Sequence, residues 1–133
     1  MPLLAPISIG ELLDKISILE LKEAAIADPA RRANVTRELA ALHEVRRAQV
    51  AASAPLDALY AELQAVNRRL WEVEDRLRQH ERDGRFEAEF VALARSVYRE
   101  NDRRAALKRR INQLTGSDLV EEKSYPPYDL PGG

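Results

Sequence analysis

Between residues 56 and 77 the apolar side chains recur as Leu56, Leu59, Leu63, Val66, Leu70, Val73 and Leu77, at alternating steps of three and four. That spacing draws one continuous stripe down a long α-helix, and the stripe has to be buried against other helices. The same punctuation divides the rest of the chain. Ser8-Ile9-Gly10-Glu11 is a capping box that opens a helix carried by Ile9, Leu12, Ile16, Leu19 and Ile26. Asp28-Pro29 ends it and starts a second helix with Val35, Leu39, Leu42 and Val45, because proline costs nothing at the first helical position. Ser53-Ala54-Pro55 is the next break, and Gly84 and Gly116 suit left-handed caps after the third and fourth helices.

The expected architecture is all-α: an elongated antiparallel bundle of helices over 8–27, 29–52, 56–82 and 86–115. A long hairpin with two shorter helices against it is the variant form. A chain of 133 residues with only 5 glycines is the size of one helical domain and buries roughly two-thirds of its unfolded surface. That domain is expected to span 1–116, with 117–133 (SDLVEEKSYPPYDLPGG) an extended tail that docks in part through Tyr125.

Net charge is -1, from 21 basic and 22 acidic residues, so no overall field draws nucleic acid or anionic lipid. There is no cysteine, and the first residues lack the basic and apolar regions of a signal peptide, which points to the cytoplasm. His43 and His80 have no second ligand at metal spacing, so no metal and no cofactor is expected.

The fourth helix holds the informative anomaly. At 100° per residue, Phe90, Val97, Asn101 and Lys108 lie within about 20° of a common direction, so an apolar row continues as a polar one. A straight register turns Asn101 and Lys108 inward, whereas a heptad register turns Glu100 and Arg104 inward. Charge enters the seam in both, and a buried charge needs partners on facing helices. Glu11, Asp14, Lys15 and Lys22 on the first helix and Asn67, Trp71, Glu74, Asp75 and Arg78 on the third are the candidates. Solvated faces laced with i,i+4 pairs such as Glu11 with Lys15 are the bland alternative.

Function classes follow from these residues. Glu20/Glu23 and Glu72/Asp75 have the spacing of the carboxylate pairs that hold Mg²⁺ in all-α nucleotide pyrophosphohydrolases, but their separation is too long. Lys15, Lys22, Arg78, Arg95 and Lys108 are placed to enclose a dicarboxylate as all-helical chorismate mutases do, without that family's arginine pattern on the first helix. Arg103, Arg104, Lys108, Arg109 and Arg110 form a basic run interrupted by acids and without an aromatic platform, which disfavours nucleic acid. A non-catalytic scaffold or partner-binding bundle needs no chemistry at all.

Four ordered segments, SIGELLDKISILELK, VNRRLWEVEDRLRQHE, FVALARSVYRENDRRAALKRRIN and GSDLVEEKSYPPY, resemble a small bacterial and phage family defined only as a domain of unknown function. Its members often lie near glycosyltransferase and surface-polysaccharide genes, which implies a role in sugar metabolism and no particular activity. The resemblance implies a mostly polar signature that includes Gly10, Asp102, Arg103 and Ser117. Joined to the helix faces, it gives a ligand-binding candidate set: Glu11, Asp14, Lys15, Lys22, Asn67, Trp71, Asp75, Arg78, Arg95, Tyr98, Asn101, Lys108, Asn112, Glu121, Glu122, Lys123 and Tyr125. The expected partner is a small anionic ligand held between the first, third and fourth helices under the folded-back tail. A homodimer is compatible with this reading, and no membrane is involved.

Overall fold

The computed structural model describes residues 2–119 and 122. Four helices run in order, α1 (Ile9–Ala25), α2 (Pro29–Gln49), α3 (Ala54–Asp83) and α4 (Ala88–Thr115), with no strand among the described residues. Three of the N-termini and two of the C-termini follow from their local chemistry, whereas Glu87 precedes α4 without a side-chain cap. The Ser8 hydroxyl accepts from the Glu11 amide, Asp28 from Arg31 and Ser53 from Leu56, each at the three-residue offset of a side-chain N-cap. Gly84 and Gly116 both adopt φ 65°, the left-handed conformation that an L side chain resists. Most helices stop short of the expected limits. α1 ends at Ala25 because Ile26 is already extended, and Asp28 is kept out of the helical region by the proline after it. α2 ends at Gln49, where Val50 turns extended, and α4 starts at Ala88 rather than 86. α3 begins earlier than expected, at Ala54, because Ser53 rather than a later residue is its cap.

α3 and α4 form the long hairpin, and α1 lies across it, touching both; α2 packs its backbone on α1 alone. The core therefore sits where α1 crosses the hairpin. Leu13, Ile16, Leu56, Leu63 and Ile111 are fully buried there, joined by Leu12, Leu19, Leu39, Tyr60, Val66 and Leu107. α2 contributes only Leu39 as a buried side chain, so it is held by an edge. Much of that edge is polar. The Glu20 carboxylate accepts from Tyr60 (2.8 Å) and Gln64 (2.9 Å), His43 approaches it at 3.9 Å, and the Arg46 guanidinium stacks 4.5 Å above the Tyr60 ring.

Burial, reinforced by the hydrogen bond to Glu20 and its charge, pushes the Tyr60 phenol well above its ordinary value of 10.0, against a smaller opposing effect of Arg46. The folded state thus holds the proton more tightly than the unfolded one. Stability from this group is complete below about pH 10 and is lost as pH rises further. Urea unfolding midpoints between pH 8 and 11 should fall more steeply for the wild type than for Tyr60→Phe; parallel curves would dismiss the coupling. Among the described residues no helix is long and apolar enough to cross a membrane.

Candidate functional site

α1 and α4 meet backbone to backbone at Gly10. A Cβ there would lie 2.6 Å from the Lys108 carbonyl oxygen and 3.0 Å from Asn112 Oδ1. The first amides of any helix lack partners within it. Here the Gly10 amide donates to Asn112 Oδ1 at 2.7 Å and the Ile9 amide donates to Ser117 Oγ at 3.2 Å. The C-terminal end of α4 thereby caps the start of α1 across more than a hundred residues of sequence.

One turn further along α1 the contact becomes ionic. Asp14, 1% exposed, accepts from Arg104 through both carboxylate oxygens, with Nε at 2.9 Å, and from Asn67 Nδ2 at 2.9 Å. Asn67 also donates to Ser17 Oγ at 3.1 Å. Lys108 Nζ lies 2.6 Å from Glu11 and 4.0 Å from Asp14, and the other Glu11 oxygen is 3.8 Å from Lys15. α1 thus contributes two carboxylates and α4 a guanidinium and an ammonium, and the four formal charges cancel, with Asn67 of α3 bonded to the group. Such a network seldom outperforms an apolar core, yet removing one member strands its partner.

Replacing Lys108 with Met tests this at one end. Glu11 keeps Lys15 and some solvent, and Asp14 keeps Arg104, so the cost should be about 2 kcal/mol, below the usual range for a buried pair. A melting temperature equal to that of the wild type would mean Lys108 contributes no net pairing.

Of the sequence candidates, Glu11, Asp14, Asn67, Lys108 and Asn112 come together, with Arg104 and Ser17 as members that the candidate set lacked. Lys15 joins only at the rim. Lys22, Asp75, Arg78, Arg95 and Tyr98 are exposed, and Trp71 is half-buried. Asn101 is exposed, contrary to the straight-register expectation, and Glu74 and Asp75 do not meet it. The reason is reach: α1 has 17 residues against 28 in α4, and its bonded contacts to α4 stop at Arg104. Glu100 instead enters the seam, as the heptad register has it, and accepts from Arg69 and Arg103. Glu121, Lys123 and Tyr125 lie outside the described residues.

The paired carboxylates considered for metal also stay apart. Glu20 serves Tyr60 and Gln64, Glu23 accepts from Thr36, and Glu72 and Asp75 face solvent on the far part of α3. Among the described residues no three His, Cys, Asp or Glu side chains gather as a metal site. The basic run of α4 is likewise neutralised locally: Arg103 faces Glu100, Arg109 faces Glu122 and Arg110 faces Glu62.

Beside the ionic cluster a cavity of about 330 Å³ lies between α4 and Glu122; its walls include Asp102, Ala105, Lys108, Arg109 and Asn112. Glu122 is held there by Arg109 at 2.9 Å. Asn112 is 2% exposed and its Oδ1 is taken by Gly10, while its Nδ2, a buried donor, has no acceptor among the described residues. A buried amide left in that condition costs about 1–3 kcal/mol.

A model of a family of unknown function (DUF6165) matches residues 3–131. The chain belongs to that family. The match covers both the ionic cluster and the cavity, so the polar residues α1 and α4 bring together are part of the family's own domain. No curated protein and no solved structure matches the chain.

Proposed function

We propose that this family member is a cytoplasmic binding protein for a small anionic metabolite, taken up in the cavity between α4 and Glu122. One observation carries the reading: Asn112, whose buried Nδ2 has no acceptor among the described residues, lines a cavity that it shares with Lys108 and Arg109. A phosphate or carboxylate oxygen is the acceptor that such a donor beside two cations would select. Asp102 and Glu122 on the same walls suit ligand hydroxyls, which favours a sugar phosphate or nucleotide sugar over a bare dicarboxylate. This agrees with the sugar context that the family resemblance implies.

A second reading, a non-catalytic scaffold, is favoured by the cancellation of charge among Glu11, Asp14, Arg104 and Lys108. Such paired charges between helices act as a register device, as buried polar groups do in coiled coils. The two readings meet at Lys108, which belongs to the cluster that fixes the helices and also lines the cavity proposed to bind.

Thermal-shift titration of the full chain with glucose 1-phosphate, UDP-glucose, ATP with and without Mg²⁺ and an aromatic dicarboxylate separates them. A saturable rise with the first two is expected, worth about 2.7 kcal/mol at a hundredfold excess over Kd. Asn112→Asp keeps the acceptor for Gly10 but replaces the donor by a negative charge, and should weaken binding at least tenfold. No shift with any compound would leave the scaffold.

A further inference from the structure

The α3–α4 hairpin outruns the helix that covers it. At 1.5 Å per residue α1 is about 25 Å long and α4 about 42 Å. Beyond the crossing, the part of α3 from Trp71 onward and the part of α4 before Asn101 have mainly each other. Leu93 is the buried aliphatic of this arm and stands outside the main core. Trp71, Val73, Leu77 and Phe90 are only half-buried. A two-helix seam leaves each helix one flank that a bundle would cover.

That flank of α3 carries an ordered charge pattern. Trp71, Glu74, Asp75, Arg78 and Arg82 project within about 100° of arc, on the side where Asn67 meets α1 nearer the core. All four charged residues are exposed. Two acids are followed by two arginines, so the flank is its own electrostatic complement when reversed. An antiparallel copy related by a two-fold axis between Asp75 and Arg78 sets each acidic pair against the other chain's arginines and brings Trp71 towards the partner's turn. This is the self-matching surface that an isologous dimer requires.

We propose that the chain pairs with a second copy of itself through this arm, α3 against α3 in antiparallel register. The overlap from Trp71 to Asp83 is about 20 Å long, and the strip shared by two facing helices is about 10 Å wide. The area is on the order of 200 Å² per chain, below that of a standard specific interface, so charge pairing has to carry the association, and the dimer is weak and weakens further with salt.

Sedimentation velocity of the full chain from about 5 to 500 μM, at low salt and in 0.5 M NaCl, is the test. The weight-average mass should rise with concentration from 15.0 kDa towards twice that value, less so in high salt. The variant Glu74→Arg with Asp75→Arg should associate at least tenfold more weakly. Adding Arg78→Glu and Arg82→Glu, which reverses every charge of the pattern, should restore association. Far-UV circular dichroism checks that both variants keep their helices. A monomer at every concentration, a double variant that associates like the wild type, or a fourfold variant that stays monomeric would each overturn the proposal.

Discussion

Replacing Asp14 with Ala should cost about 4 kcal/mol, the largest loss expected from any single polar substitution in this chain. The carboxylate is 1% exposed and is shared by a bidentate Arg104, by Asn67 and, at 4.0 Å, by Lys108. Without it the guanidinium loses both of its bonds to α1. Asn67 keeps Ser17 as acceptor, and Lys108 keeps Glu11 but loses its second α1 carboxylate. Asp14→Asn should recover little, because a carboxamide cannot accept two guanidinium bonds and offers a donor where a donor repels. Chemical denaturation reads the result directly: the midpoint should fall by the equivalent of about 4 kcal/mol with little change in slope. A loss under 1 kcal/mol would mean the network is solvated. Asp14→Leu with Arg104→Met tests the structural role separately, since an apolar pair in the same space should recover most of the stability if the network only sets register.

How much of this could be read beforehand depended on the range of each signal. The caps were legible because each acts over three or four residues: Ser8 with Glu11, Asp28 with Arg31, Ser53 with Leu56, and glycines 84 and 116. The stripe from Leu56 to Leu70 predicted its burial correctly. That charge must enter α4's inner row was also legible, and Glu11, Asp14, Asn67 and Lys108 do meet there. Which positions of α4 stay inside was not. Asn101 and Lys108 share a helix face, but only Lys108 lies beneath α1, and where a short helix stops along a longer one is set by packing across ninety residues of chain. The Tyr60–Glu20–Gln64 group was missed for the same reason, since no periodic feature distinguishes a tyrosine that bonds a distant glutamate from one that merely packs. Ser17 was missed because a small hydroxyl in an apolar stripe resembles filler until its amide partner is known. The donor left over on Asn112 lies at a further remove: the resemblance marks the residue, but only its bond to Gly10 shows which half of the carboxamide is occupied.

Gly10→Ala should cost about 3 kcal/mol although it adds a single methyl group at an ordinary helical position. Ala is the better helix former, so local propensity favours the change by roughly 0.8–1 kcal/mol. Packing opposes it and wins. The new Cβ would sit 2.6 Å from the carbonyl oxygen of Lys108, and that oxygen belongs to the α4 backbone, not to a side chain able to rotate away. α1 must therefore lift off α4 at this point. Lifting lengthens the 2.7 Å bond from the Gly10 amide to Asn112 and the 3.2 Å bond from the Ile9 amide to Ser117, exposing amides that α1 cannot satisfy itself. Because Asn112 also lines the cavity, the same displacement should, on the proposed reading, weaken binding of the proposed anion together with the loss of stability. Gly116→Ala, which strains a left-handed cap but meets nothing within 4 Å, is the comparison: it should lower stability by only about 1 kcal/mol and leave the α1–α4 contact in place. Hydrogen exchange at the Gly10 amide distinguishes the two. Loss of protection there in Gly10→Ala, relative to the α3 core, is the expected result; equal protection in both variants would show that α1 accommodates the methyl without leaving α4.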